Sequence, residues 1–236
     1  MLLRSLLIIF VSLLPIIQAH AGVRPINTRE IITTSKEHQV DIINDSTGEY
    51  LVQSWLEDSD ENTSDLPLVL TPPIFKLGAN EQGFVRILPI ENKLAQDRES
   101  MFFLSVQEIP RKSEAADQNQ LNIAVRTRIK VIVRPEQFNL QGLLDAAKQL
   151  SWKVVEEDGK KYFQSTNNSP YYLSLGHLQA VSGGKSKMLD DRFNMTPPFS
   201  KQKYAVPSGI NVKNVSLEFG IINDYGGLSE IQTVSF

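Results

Sequence analysis

The sequence predicts an all-β protein of two sandwich-sized domains, and three observations predict it. Short runs rich in β-branched and aromatic residues recur between clusters of turn-forming residues along the whole chain. No region alternates helix with strand, which argues against a parallel α/β sheet. Once an N-terminal leader is set aside, the 236-residue chain is too long for one sandwich of about 100 residues and comfortable for two.

The leader comes first. Arg4 gives a positive start, Leu6 to Ile17 form an apolar run interrupted by Ser12 and Pro15, and Ala19-His20-Ala21 puts small residues at both positions that a signal peptidase reads. The run is shorter than the roughly 20 apolar residues that span a bilayer, so residues 1–21 read as a cleaved secretory signal and the mature chain is expected to begin at Gly22. No later stretch is long and apolar enough for a membrane-spanning helix, and no membrane insertion is expected.

Strands are then expected at Gln39–Ile43, Glu49–Trp55, Leu68–Thr71, Phe84–Leu88, Met101–Gln107 and Leu121–Val133. A second set follows at Trp152–Val155, Lys161–Gln164, Tyr171–Leu178, Val215–Ile222 and Glu230–Phe236. Turns fall at Ser46-Thr47-Gly48, Pro72-Pro73, Asp158-Gly159, Ser182-Gly183-Gly184 and Pro207-Ser208-Gly209. Leu143–Leu150 carries helical spacing. Arg134-Pro135 stops the most regular strand, and the polar stretch up to Gly142 marks the boundary, giving domains at 22–138 and 139–236.

Composition narrows the function classes. The net charge of −3 becomes more acidic when Arg4 leaves with the leader, so nucleic acid is not an expected partner. Cysteine is absent, which suits an exported protein held together by packing alone. The two histidines beyond the leader, His38 and His177, lie in different halves and in no metal-ligand spacing, so no metal and no cofactor is expected. Gly184-Lys185-Ser186 ends like a phosphate loop, but Gln179 stands where its first glycine is required, and a turn between two strands is the better reading. There is no G-x-S-x-G elbow and no cysteine nucleophile, so no enzyme is expected. The carboxylates of Glu57–Glu61 read as solvated loop charges.

The informative segment is 121–133. Leu121, Ile123, Val125, Thr127, Ile129, Val131 and Val133 share one face, and Arg126, Arg128, Lys130 and Arg134 dominate the other. Such a strand would span about 40 Å at about 3.3 Å per residue, against about 17–20 Å for an ordinary strand. Either it is bent and shared between sheets, or its Leu121–Val125 end projects and waits for another chain. An exposed apolar edge is an aggregation hazard that proteins usually blunt unless it serves for docking.

With that segment the chain resembles the periplasmic chaperones of the chaperone–usher pilus pathway. The resemblance runs in order through Asn27-Thr28-Arg29, Pro72-Pro73-Ile74-Phe75-Lys76-Leu77, Arg98-Glu99-Ser100, Met101-Phe102-Phe103-Leu104, Glu108-Ile109-Pro110, the segment from Leu121 to Lys130, Arg134-Pro135, Ser169-Pro170-Tyr171-Tyr172 and Asn223-Asp224-Tyr225-Gly226. Glu30 departs from it, since the family tends to place an apolar residue after the arginine.

The resemblance implies two immunoglobulin-like β-sandwich domains at an angle with a cleft between them. It implies that Leu121, Ile123 and Val125 are lent as a strand to the incomplete sandwich of a pilus subunit, a pilin or an adhesin, which then passes to an outer-membrane usher. It implies that Arg29 and Lys130, expected in an open cleft, grip the subunit's C-terminal carboxylate, and that Glu99, Arg134 and Asp224 form an ionic tie between the domains. Arg126 and Arg128 match no such role and read as solvated. The short, polar connection from Pro110 to Gln120 resembles the branch that serves rod-like pili. A pilus subunit or adhesin is the competing class, but those are single domains or carry an N-terminal donor extension, whereas here the alternating strand is internal. Self-association through the apolar edge is expected when no client is bound.

Overall fold

Alternation of apolar and polar residues, with one face of each strand turned inward, builds the molecule from four sheets in two domains. The structure is a computed structural model, and it describes residues 22–90, 92–109, 123–189 and 195–236. The leader, Leu121 and the 110–120 connection lie outside the described residues.

The first domain contains β1 (Val23–Pro25), β2 (Arg29–Thr33), β3 (His38–Asn44), β4 (Tyr50–Glu57), β5 (Leu68–Thr71), β6 (Ile74–Leu77), β7 (Gln82–Pro89), β8 (Ser100–Ile109) and β9 (Arg126–Arg134). One sheet runs β1-β3-β7-β5 and the facing sheet β2-β9-β8-β4-β6. Val40 and Ile42 of β3, Val85 and Ile87 of β7, Leu104 and Val106 of β8, and Val131 and Val133 of β9 are fully enclosed between them. This is the period-2 core of a sandwich. β2 pairs β9 in parallel, whereas the other strand pairs are antiparallel.

The second domain begins with α1 (Leu140–Lys148), starting three residues earlier than its spacing predicts, because Asn139 caps it by accepting a hydrogen bond from the Gly142 backbone N–H at 2.9 Å. β10 (Ser151–Glu157), β11 (Lys160–Asn167) and β15 (Ser200–Ala205) form one sheet. β13 (Lys185–Met188), β12 (Leu173–Ser182), β16 (Ser216–Ile221) and β17 (Gln232–Ser235) form the other, with β14 (Met195–Thr196) paired to β12. Phe163, Leu173, Ala180, Tyr204, Leu217 and Phe219 fill the core, and α1 contributes Leu143, Ala146 and Ala147.

Gly183 and Gly184, at φ of +57° and +74°, turn β12 into β13 as a hairpin, so the lysine after them is a strand residue and not part of a phosphate loop. β13 is an exposed edge carrying Lys185 and Lys187, charges that discourage edge-to-edge pairing. The expected strand at 121–133 is shorter than its alternation suggested. β9 starts at Arg126, while Ile123–Val125 stand outside the sheet and are held to it where the Glu108 N–H donates to the Val125 carbonyl at 3.2 Å.

Candidate functional site: a cationic cleft beside a half-paired strand

The site is built where β2 begins. In the parallel register Arg29 lies directly beside Lys130, and Thr33 beside Arg134, so the two cations at the start of β2 share one face of the sheet. Beyond that point β9 has lost its neighbour. Arg126–Ile129 are paired to β8 on one edge, and among the described residues no strand pairs their other edge.

Arg29 is buried more deeply than an open cleft implies, at 8% exposed. Its Nη1 donates to the Ile222 carbonyl of the second domain at 3.2 Å, while its Nε is buried without a partner. Burial holds its guanidinium below the ordinary range, opposed by the charge of Asp224. Lys130 is half-buried, and burial, reinforced by the charge of Arg29, pushes its pKa from 10.5 down to about 8. A cavity of about 370 Å³ opens at this point, lined by Asn27, Thr28, Arg29, Glu30 and Ile31 from the first domain and Asp224 and Tyr225 from the second.

The carboxylates near the cavity are already engaged. Glu30 is buried, with His38 Nε2 at 2.8 Å from its Oε2 and Asn27 donating to its Oε1 at 3.1 Å. That satisfaction explains how a charged residue fits where the family tends to place an apolar one, and β2 keeps its register with β9. Asp224 accepts from Arg134 Nη1 at 2.6 Å and from Nη2 at 2.8 Å. On its other side Arg134 donates through Nε to Glu99 at 2.6 Å, and Glu99 also accepts the Tyr172 N–H at 2.7 Å. Burial alone would lower the Arg134 pKa, but its bonds to Asp224 and Glu99 outweigh that and raise it. Burial raises Glu99, and the Arg134 charge resists the rise. The Asn223–Gly227 loop that carries Asp224 lies close to β2: Gly226 has φ of +81°, and a Cβ there would stand 3.1 Å from Thr28 Oγ1.

Of the apolar residues expected to be lent as a strand, Ile123 is 65% exposed and Val125 42% exposed, beside the start of β9. Three neighbouring residues differ from their sequence reading. Arg126, although exposed, and Arg128 are paired with a buried carboxylate, and Glu57 is not a loop carboxylate. Glu57 ends β4 with its side chain 2% exposed, and Arg126 Nη2 donates to both its oxygens at 2.6 and 2.7 Å. Arg128 Nε pairs with the same carboxylate. The basic face of β9 reads from sequence as turned to water, yet it lies across β8 from Glu57. The clue in the sequence was an acid ending one strand while a row of cations began another.

Comparison with known proteins decides what this arrangement belongs to. The family model described as "Pili and flagellar-assembly chaperone, PapD N-terminal domain" matches residues 22–139, and "Pili assembly chaperone PapD, C-terminal domain" matches residues 145–233. The chain belongs to this pilus-assembly chaperone family. Within the family, it is 34% identical over 221 residues to the chaperone protein FocC of Escherichia coli, covering 90% of this chain and 89% of FocC. It is likewise 34% identical over 216 residues to the chaperone protein LpfB of Salmonella typhimurium, covering 90% of this chain and 88% of LpfB. The crystal structure of the YadV chaperone superposes with a TM-score of 0.76 at 28% identity, covering 92% of this chain and all of that one. A chain from the Salmonella enterica SafA pilin–SafB chaperone complex superposes with a TM-score of 0.75 at 26% identity, covering 93% of this chain and 98% of that one.

Proposed function

We propose that this chain is a periplasmic chaperone that captures pilus subunits by lending them a strand, and that it hands them to an outer-membrane usher. The observation that carries the reading is the half-paired start of β9, with Arg29 and Lys130 side by side where the pairing with β2 begins. A subunit strand laid along Arg126–Ile129 would satisfy backbone groups that, among the described residues, have no strand partner on that edge. Adding a strand to an open edge is a general mode of recognition that pilus chaperones exemplify. Ile123 and Val125, together with Leu121, would enter the subunit's groove, each worth about 1.5–3 kcal/mol before association costs.

Arg29 and Lys130 would then grip the subunit's terminal carboxylate. Two cations converging on one carboxylate give charge-assisted hydrogen bonds and fix the register of the added strand. The orphaned Arg29 Nε, beside Lys130 in the strand register, supports a site that can take up a carboxylate. Arg134, Glu99 and Asp224 would set the angle between the domains and so the shape of the cleft. Nothing in this mechanism requires covalent chemistry or a cofactor.

Expression with a pilus subunit and recovery from periplasmic extract tests the reading. The expected product is a one-to-one complex in which the chain begins at Gly22 by mass spectrometry. Ile123→Asp should fold normally, since the side chain is largely exposed, but should fail to recover the subunit, because a charge cannot be solvated in an apolar groove. Recovery of subunit by Ile123→Asp at the wild-type level would sink the donated-strand assignment.

A further inference from the structure

Glu57 is a carboxylate sealed beneath the cleft face of the first domain, and neither the carboxylate anchor nor the interdomain tie gives it a task. It accepts from Arg126 Nη2, from Ser105 Oγ at 3.3 Å and from Trp55 Nε1 at 2.9 Å, and it forms an ion pair with Arg128. The arginines are held in turn by rings and hydroxyls. Arg126 Cζ sits 4.9 Å from the Trp55 ring centre, Arg128 Cζ sits 3.6 Å from that of Phe103, and Arg126 Nε donates to Ser105 Oγ at 3.0 Å. The cluster therefore joins the end of β4, the middle of β8 and the first residues of β9.

We propose that Glu57 is a positioning residue that clamps the start of β9 and holds Ile123–Val125 in place before a client arrives. A strand end bonded on one edge only is where fraying is expected. Arg126 follows Val125 directly, so lifting the first residues of β9 would strip both arginines from a carboxylate that water does not reach. An uncompensated buried charge is strongly unfavourable, so the clamp penalises fraying at this very place. A segment already ordered loses less conformational freedom on binding, which raises affinity without a new contact to the client. This role rests on the strand-lending reading only for its purpose; the clamp itself is a property of the free protein.

The test compares full-length wild type with Glu57→Gln, which keeps the shape and removes the charge. Amide hydrogen exchange in the free protein should accelerate about tenfold or more at residues 126–129 and at 105–107 opposite them. The second domain and the β3–β7 pair should exchange as in wild type. Affinity for a purified pilus subunit should fall by about tenfold, with Lys130 and Arg29 intact. If Glu57→Gln does not fold, Arg126→Ala serves instead, since its side chain is partly exposed. Exchange at the wild-type rate at 126–129, or a uniform acceleration through both domains, would overturn the positioning role. Wild type that binds no subunit would contradict the proposed function instead, and the exchange pattern would still decide the clamp.

Discussion

Lys130 carries the sharpest consequence at the scale of a single residue. In the free protein its pKa is depressed to about 8, so the ammonium is charged below that pH and increasingly neutral above it. A client carboxylate gripped as proposed would favour the charged form and raise the pKa again, so binding above about pH 8 would take up a proton. Affinity for the subunit is therefore predicted to be level below about pH 8 and to fall as pH rises beyond it. The free fold should move the other way, gaining stability between about pH 8 and 10.5, because the cost of burying the ammonium disappears. Lys130→Ala should abolish the pH dependence above 8 and weaken binding by about 2–5 kcal/mol, roughly 30-fold to several-thousand-fold. Titration calorimetry from pH 7 to 9.5 reads both effects. An affinity for Lys130→Ala equal to wild type would remove Lys130 from the anchor. Arg29 is a less clean probe, because it also donates to the Ile222 carbonyl across the domain boundary. Its pairing with Lys130 was visible in the sequence only through family likeness, since nothing in either local pattern says that residues so far apart will be strand neighbours.

At the scale of elements, the sequence was most legible where alternation was long and one-sided. β3, β4, β7, β8 and the body of β9 follow from inward-facing Val, Ile, Leu and Phe. What escaped had too little apolar pattern to register. β15 turns only Tyr204 fully inward along Ser200–Ala205, and β13 is exposed throughout. β2 was missed because its buried positions include Arg29 and Glu30, residue types that mark a surface unless their partners are known. The start of β9 was misread in the opposite sense. Its alternation continues to Leu121, but period alone cannot tell where a segment leaves the ladder. The structure ends the ladder at Arg126, next to the Glu57 clamp. Burial of Glu57 was illegible for the same reason as burial of Arg29, because both depend on a partner from a distant strand.

For the whole molecule, polar contacts tie the two domains together. Arg134 is the centre of these, with Glu99 on its own domain and Asp224 on the other. A buried ionic set of this kind fixes geometry better than it adds net stability, but removing one member leaves the others unpaired. Arg134→Ala is predicted to lower stability by about 3–5 kcal/mol in denaturant unfolding, and an unchanged midpoint would show that the contacts do not tie the domains. Such a variant should also misplace Asp224 and Tyr225 against Arg29, since all three line one cavity. The central claim is that a client completes the open edge of β9, and hydrogen exchange on the purified chaperone–subunit complex tests it most directly. The account predicts that amides from Ile123 to Ile129 become strongly protected when the subunit binds, while β13, an edge far from the cleft, exchanges as in the free protein. A complex in which 123–129 exchange as fast as in the free chain would contradict it.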